Sequence, residues 1–293
     1  MEPARCDTRP FGQAKDVLPR ESATGYCDVQ LPLDRCPTPG RLYLPRWNEA
    51  LAERPAPGVV LCHGNDSRGQ EHPLIVQLAE ALATAGCYVL TFDNIGYGRG
   101  WRPPSGMLIH PEDADLRWAA FAGVTLLSSL PEVDAARLYT MGHSMGGAVA
   151  LAAGAVDSRV VGAVGISPSQ VTRVISKASD REKYRMSSLI ERTMHLYVSA
   201  NVVVALRHLT DPLLYVDQLR DKRVLITYVE DENMDSNYRE WIESLALTLG
   251  QPNCSIVRYP GSDHHYGAAA GGPSSQLTEK LLRPVVAWLT ADA

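Results

Sequence analysis

The chain has 293 residues, of which 45% are hydrophobic and 21% are charged, and its formal net charge at pH 7 is −5. This composition is typical of a globular protein and excludes an intrinsically disordered chain, and the charges form no basic cluster that would bind nucleic acid. No apolar run approaches the roughly eighteen residues that a membrane-spanning helix needs. We therefore expect a globular domain with neither a nucleic-acid nor a membrane partner.

The first part of the chain predicts an arm followed by a hairpin. Residues 1–22 carry charged residues and prolines where a signal peptide needs an apolar stretch, so we expect a loosely held arm and a cytoplasmic protein. Two extended segments follow, Tyr26 to Leu31 and Arg41 to Pro45. The stretch from Pro37 to Gly40 between them predicts the turn of an antiparallel hairpin.

From Gly58 onward, short β-branched runs alternate with helical patterns, which predicts a doubly wound α/β fold with a mostly parallel sheet. The six cysteines have no metal-binding spacing, and those within strands are expected to be buried thiols. The predicted strands are Gly58 to Cys62, Cys87 to Phe92, Arg137 to Met141, Val160 to Ile166, Arg223 to Val229 and Cys254 to Tyr259.

The alternation is interrupted once, after the sixth strand. The stretch from Ile166 to Arg223 is too long for an ordinary connection and contains no clear strand, so we predict a helical insertion over residues 168–220. This divides the chain into the arm, a core formed by residues 23–167 and 221–293, and the insertion. The last helix is predicted from Gln276 to Leu289, with a kink at Pro284.

The segment Gly142-His143-Ser144-Met145-Gly146 carries the strongest functional signal. It joins a predicted strand to a helix of small residues, which is the context of a nucleophile elbow and not of a glycine-rich turn without chemistry. A serine at such a sharp turn has a strained backbone, and the flanking glycines permit the close approach of neighbouring chain. We predict that Ser144 is a nucleophile and that the Met145 N–H, at the start of a helix, binds an oxyanion.

Two further loops follow predicted strands. Glycines recur from Asp93 to Gly100, but Trp101 and Pro103 follow where a phosphate-binding helix should begin, so we interpret this loop as turn structure beside the site. After the last strand, Tyr259-Pro260-Gly261-Ser262-Asp263-His264-His265-Tyr266 contains two adjacent histidines. A metal site is disfavoured there because no third ligand stands at a recognisable spacing.

Together these motifs resemble the α/β-hydrolase superfamily, especially its bacterial esterase-like and dienelactone-hydrolase-like members, over about residues 26–291. The resemblance implies the α/β-hydrolase fold, in which serine, acid and histidine follow one another along the chain. It implies that His264 is the catalytic base, with His265 as its rival. It also implies that neither a metal nor an organic cofactor is required.

The segment from Val59 to Gly64 resembles the family's strand ending in His-Gly, which precedes the oxyanion loop. The resemblance implies that the Asn65 N–H is the second oxyanion donor beside that of Met145, and that His63 braces the loop. The HGGG run of some lipases is absent from this sequence.

The third member of the triad departs from the family pattern. The strand Leu225 to Val229 and the residues after it are similar to a strand followed by G-x-x-D, but with Val229 in place of the glycine and Glu232 in place of the aspartate. The resemblance implies that Glu232 is the acid. Asp231 is the alternative, because a shift of one residue in the turn would bring it to the same place.

These residues predict a serine hydrolase that cleaves a carboxylic ester of a small-molecule acyl substrate through an acyl-enzyme intermediate. A thioesterase, a lactonase or a peptidase would use the same groups. A non-hydrolytic cyclase or lyase and a binding protein without turnover are alternatives of other classes. The insertion is predicted to be either a lid over the site or a packed helical decoration. The physiological substrate, the oligomeric state and the role of the arm stay open.

Overall fold

The computed structural model describes residues 25–33, 36–46, 55–104, 113, 115–170, 179–181, 184–185, 188, 209–229, 238–250, 252–260, 262–268 and 277–291. The predicted N-terminal arm, most of the predicted insertion and the candidate acids Glu232 and Asp231 lie outside these residues. The division into arm, core and insertion therefore stays a prediction.

Within the described residues, eight strands form one sheet: β1 Tyr26–Leu31, β2 Thr38–Tyr43, β3 Ala56–Cys62, β4 Tyr88–Phe92, β5 Val133–His143, β6 Val160–Ile166, β7 Arg223–Val229 and β8 Cys254–Tyr259. Their order in the sheet is β1-β2-β4-β3-β5-β6-β7-β8. The pairs β1–β2 and β2–β4 are antiparallel and the remaining pairs are parallel. This confirms a mostly parallel sheet with an antiparallel hairpin at its N-terminal edge.

The hairpin differs from its prediction at the start of β2. The strand begins at Thr38 and not at Arg41, so the predicted turn residues Thr38, Pro39 and Gly40 belong to the strand. A Cβ on Gly40 would lie 2.7 Å from the carbonyl oxygen of Thr91 in β4. The glycine therefore permits close strand packing and does not form a turn.

Helices cover both faces of the sheet. Because side chains alternate along a strand, Val59 and Leu61 of β3 pack on one face whereas Val60 and Cys62 pack on the other. The α-helices are α1 Pro73–Thr84, α2 Arg117–Ser129, α3 Met145–Val156, α4 Val216–Leu219, α5 Tyr238–Leu249 and α6 Arg283–Thr290. The helices α1 and α6 cover the first face, and α2, α3 and α5 cover the second.

The last helical segment changes its winding near Pro284, where a kink was predicted. Residues Leu277–Leu282 form a π-helix and Arg283–Thr290 an α-helix, with Pro284 in the first turn of the latter. Proline fits there because the first turn of a helix needs no intrahelical N–H donor. Among the described helices, none combines the length and the apolar character needed to cross a membrane.

The cysteines in the core are buried, as predicted. Cys62, Cys87 and Cys254 are buried and form no disulfide within the described residues. Burial raises the pKa of the Cys62 thiol to about 12 and the pKa of Cys87 and of Cys254 to about 11. These thiols are therefore protonated near neutral pH and are poor nucleophiles.

Candidate active site

Ser144 lies at the tip of a sharp turn between β5 and α3. Its backbone has φ 54° and ψ −118°, a conformation that residues with a side chain rarely adopt. A Cβ on Gly142 would overlap the backbone of Gly146, and a Cβ on Gly146 would overlap the carbonyl oxygens of Cys62 and His63. The spacing of the two glycines around the serine is therefore a steric requirement of this turn.

Two backbone N–H groups lie next to Ser144. Met145 is the first residue of α3, where N–H groups have no intrahelical acceptor. On the other side, Gly64 runs so close to Ser144 that a Cβ on Gly64 would lie 3.3 Å from the Ser144 Cβ. Asn65 follows at the apex of a tight turn closed by the Asp66 N–H, which donates to the Gly64 carbonyl over 3.0 Å. Within the described part of the chain, the Asn65 N–H has no hydrogen-bond acceptor.

His63 braces the loop that carries Asn65, in agreement with its predicted structural role. The ring is fully buried, and burial lowers its pKa, so it is neutral near pH 7. Its Nδ1 lies 2.7 Å from the Gly64 carbonyl oxygen, to which it donates, and its Nε2 accepts from the Asn94 N–H over 3.1 Å. One imidazole therefore ties the loop after β3 to the loop after β4.

The glycine-rich loop after β4 surrounds a buried carboxylate. Asp93 accepts hydrogen bonds from the Gln70 N–H over 2.8 Å, the Gln70 side chain over 2.9 Å and the Arg99 N–H over 3.0 Å. A Cβ on Gly69 or on Gly98 would overlap this carboxylate. The glycines thus make room for Asp93, whose charge would repel a phosphate group at the same place.

Four histidines converge beside Ser144. His143 precedes it, His264 and His265 follow β8, and His72 caps α1 by accepting from the Leu74 N–H. The His143 and His264 ring centroids are 4.6 Å apart, and those of His72 and His265 are 4.7 Å apart. The sequence offered no signal for the contribution of His72 and His143, because their proximity to the last loop depends on the packing of α1 and β5.

Burial keeps three of these rings neutral near pH 7. Burial is the main cause that lowers the pKa of His72 to about 4, the pKa of His143 well below its usual value, and the pKa of His265. Neighbouring histidines add to each shift, because two positive charges repel each other. The neutral His143 lies with its Nε2 2.8 Å from the His264 carbonyl oxygen, so this nitrogen carries the proton and donates it.

The loop that carries His264 is anchored on both sides. The Asp263 carboxylate accepts from the His265 N–H over 2.7 Å and from the Gly267 N–H over 3.1 Å. Tyr266, fully buried and with φ 55°, places its hydroxyl 3.3 Å from the Ser167 hydroxyl and 3.2 Å from the Thr227 hydroxyl. The loop is thereby held against the ends of β6 and β7.

His264 therefore lies at the same end of the sheet as Ser144, with His143 between their backbones. In the part of the chain that the structure describes, no hydrogen bond joins the Ser144 hydroxyl to His264. Such bonds are often long before a substrate binds and shorten in the reacting complex. Within the same residues, no group of three or more histidine, cysteine, aspartate or glutamate side chains is arranged to hold a metal ion.

A cavity of about 280 Å³ lies near the oxyanion side of the site. Two of its lining residues, Cys36 and Ile95, also pack with Tyr97 and Met145 in a small hydrophobic cluster. Its lining is mainly apolar and includes two carboxylates, of which Asp115 is paired with Arg117 over 2.7 Å. The lining residues are Leu33, Cys36, Thr38, Asn94, Ile95, Asp113, Asp115, Leu116, Trp118 and Ala119.

Comparison with known proteins agrees with this fold. Residues 59–273, most of the chain, match the Alpha/beta hydrolase family. The chain belongs to the alpha/beta hydrolase family. A curated relative, Hydrolase phmG of Phaeosphaeria nodorum, is 33% identical over 134 residues, which are 44% of this chain and 28% of that protein. The chain thus matches less than a third of the length of this relative.

Solved structures share the fold at low sequence identity. A hypothetical protein of Pseudomonas aeruginosa, PA2218, superposes with a TM-score of 0.67 at 18% identity, covering 99% of this chain and 100% of that one. The esterase PF2001 of Pyrococcus furiosus superposes with a TM-score of 0.58 at 17% identity, covering 91% of this chain and 90% of that one. Similarity at this level shows the fold of an alpha/beta hydrolase and leaves the substrate open.

Proposed function

We propose that this alpha/beta hydrolase is a serine hydrolase that cleaves carboxylic esters of small molecules, with Ser144 as its nucleophile. The observation that carries the proposal is the strained backbone of Ser144 between β5 and α3, with φ 54° and ψ −118°. Such strain persists only where the surrounding structure enforces it, and it is concentrated at functional sites. The choice of carboxylic esters rests on the resemblance of the sequence motifs around Ser144 and His264 to esterase-like members of the superfamily.

The proposed reaction has two halves. The Ser144 oxygen bonds to the ester carbonyl carbon while His264 takes its proton, and the oxyanion accepts hydrogen bonds from the N–H groups of Asn65 and Met145. His264 then gives the proton to the departing alcohol as the ester C–O bond breaks. Water attacks the acyl-enzyme in the same way, releasing the acid and returning the proton to Ser144. Each half balances without a metal or an organic cofactor.

The proposed acid is tested by a pair of substitutions outside the described residues. Glu232→Gln should lower kcat by about a hundredfold or more with little change in KM, because the carboxylate would hold His264 in its productive tautomer and stabilise its charged form. Asp231→Asn should change kcat less than about tenfold, as expected for a solvent-screened charge. The reverse pattern in steady-state kinetics would transfer the role to Asp231. Mild effects of both would mean that neither carboxylate is the acid.

We further propose that the cavity beside Met145 accepts part of the substrate. Its mainly apolar lining suits an acyl chain or another hydrophobic group, since small-molecule sites combine an apolar wall with few polar groups. The charge of one lining carboxylate, Asp115, is balanced by Arg117, whose Nη2 lies 2.7 Å from it, so the lining does not by its charge exclude an anionic group. The predicted insertion over residues 168–220 follows β6, and we propose that it acts as a lid over the site. We also propose a cytoplasmic location for the protein.

The purified protein should be assayed with p-nitrophenyl esters and acyl thioesters of graded chain length, together with simple lactones. We expect many turnovers per enzyme on at least one ester series, with a preference among chain lengths of about tenfold or more, because each pocket contact contributes one to a few kcal/mol. Faster turnover of thioesters or lactones would change the substrate class but keep the mechanism. Labelling by a fluorophosphonate without any turnover would contradict hydrolysis and favour a cyclase or a lyase.

A further inference from the structure

A buried tyrosine lies beneath the proposed oxyanion site. Tyr97 is only 3% exposed, and its ring packs against His63 with centroids 4.9 Å apart. Its flanking residues, Gly96 and Gly98, have positive φ angles, which lets the chain turn tightly on both sides of the tyrosine. The Tyr97 N–H donates to the Asn94 carbonyl over 3.0 Å. The tyrosine is therefore held by both its ring and its backbone.

The Tyr97 hydroxyl contacts both residues that are proposed to supply oxyanion donors. It donates to the Asn65 Oδ1 over 2.6 Å and lies 3.6 Å from the Met145 sulfur. A hydroxyl has a single hydrogen, and the short contact with the amide oxygen is the stronger of the two. The sulfur is thus a packing neighbour, whereas the Asn65 carboxamide is oriented by a hydrogen bond.

The orientation of this carboxamide decides what it presents to a substrate. The amide oxygen only accepts hydrogen bonds and would repel an oxyanion, whereas the Nδ2 group only donates them. Tyr97 occupies the oxygen, so the donor end of the amide is directed away from the buried hydroxyl. Asn65 itself is exposed, and the preceding Gly64 lies against Ser144.

We propose that the side-chain amide of Asn65, oriented by Tyr97, donates a hydrogen bond to the reacting oxyanion in addition to the backbone N–H groups of Asn65 and Met145. Asn65 is then a catalytic residue through its side chain, and Tyr97 is a positioning residue. The inference rests on the proposed function, because it needs an oxyanion to form beside Ser144. A donor fixed before the reaction stabilises the developing charge without reorganisation.

Asn65→Asp, compared with Asn65→Ala, which removes the same donor without adding a charge and should also lower kcat, separates this role from a structural one. The aspartate has the same shape and still accepts the Tyr97 hydrogen bond, but it lacks the N–H donor and adds a negative charge. With p-nitrophenyl acetate we expect kcat to fall by about a hundredfold or more, KM to change little and the melting temperature to stay within a few degrees. Wild-type kcat in Asn65→Asp would overturn the inference, because it would show that only the contact with Tyr97 matters.

Tyr97→Phe tests the positioning residue, because it keeps the ring and removes the hydroxyl. We expect kcat to fall about tenfold in the wild-type background and to show no further loss in an Asn65→Ala background, since the hydroxyl acts through the amide. Tyr88→Phe is the matched control: Tyr88 is equally buried at 3% but begins β4 at the opposite end of the sheet. It should leave kcat unchanged. If the kcat losses of Tyr97→Phe and Asn65→Ala multiply in the double variant, the hydroxyl does not act through the amide and the inference is overturned.

The inference and the proposed function fail in different ways. Turnover of p-nitrophenyl acetate by the wild type, lost in Ser144→Ala, supports the serine mechanism whatever the Asn65 variants do. If the wild type turns over but Asn65→Ala and Asn65→Asp match it, only the inference is wrong. If the wild type neither turns over any ester nor reacts with a fluorophosphonate, the proposed function is wrong and the inference fails with it.

Discussion

Ser144→Ala is expected to reduce ester hydrolysis by about 10⁴-fold or more and to abolish labelling by a fluorophosphonate. The substitution removes the oxygen that would form the acyl-enzyme bond, and the loss of a covalent nucleophile is among the most costly changes in an active site. The fold should remain intact, because the strain at φ 54° belongs to the backbone and alanine replaces serine without added volume. Steady-state kinetics and circular dichroism measure the two effects.

Ser67→Ala serves as the matched control for this experiment. Ser67 is an exposed serine in the loop after β3. Its backbone carbonyl accepts a hydrogen bond from the Gly98 N–H over 3.0 Å, and this bond does not depend on the side chain. Its substitution should change kcat less than about twofold, as expected for a surface residue. A loss of less than about a hundredfold in Ser144→Ala would contradict the assignment of the nucleophile.

His264→Ala should lower kcat by about 10⁴-fold or more, because no other group would take the proton from Ser144. Added imidazole should restore part of the activity by occupying the space of the missing ring and acting as the base. His265→Ala should cost less than about tenfold, since its ring packs against His72, with centroids 4.7 Å apart. Activity on p-nitrophenyl acetate with and without imidazole is the measurement.

The two histidine variants are controls for each other, because they are adjacent on the same anchored loop. Equal melting temperatures would show that neither change destabilises the fold, as expected because the contact between His143 and the His264 carbonyl is made by the backbone of residue 264. If His265→Ala lost activity and regained it with imidazole while His264→Ala stayed active, the role of base would belong to His265. If both variants lost activity and imidazole restored neither, the cause would be a disturbed loop and not the loss of one catalytic ring.

Short-range patterns predicted most of the fold. The parallel strands lie within a few residues of their predicted bounds, because buried strands are continuous apolar runs flanked by turn residues. The turn at Ser144 could also be predicted from the sequence, since a serine with positive φ between a strand and a helix requires glycines at fixed spacing. The start of β2 was mistaken because Gly40, a turn residue in sequence, is needed for contact with the neighbouring strand.

The family resemblance extended the prediction beyond local pattern to His264, Asn65 and Glu232. The structure brings Asn65 and His264 to the end of the sheet where Ser144 lies, and their catalytic roles stay predictions that the kinetics above would test. Glu232 and Asp231 lie outside the described residues, so the identity of the acid still rests on the register of a single turn.

The sequence by itself determined the succession of strands and helices along the chain and the strained turn at Ser144, because both depend on residues close together in the chain. Only the tertiary structure decided which distant side chains meet at that turn. His72 and His265 come together because α1 and the loop after β8 pack beside the same strand ends. Tyr97 reaches Asn65 because two loops that follow neighbouring parallel strands are hydrogen-bonded to each other. Such contacts follow from the three-dimensional packing of the sheet, which no local spacing encodes.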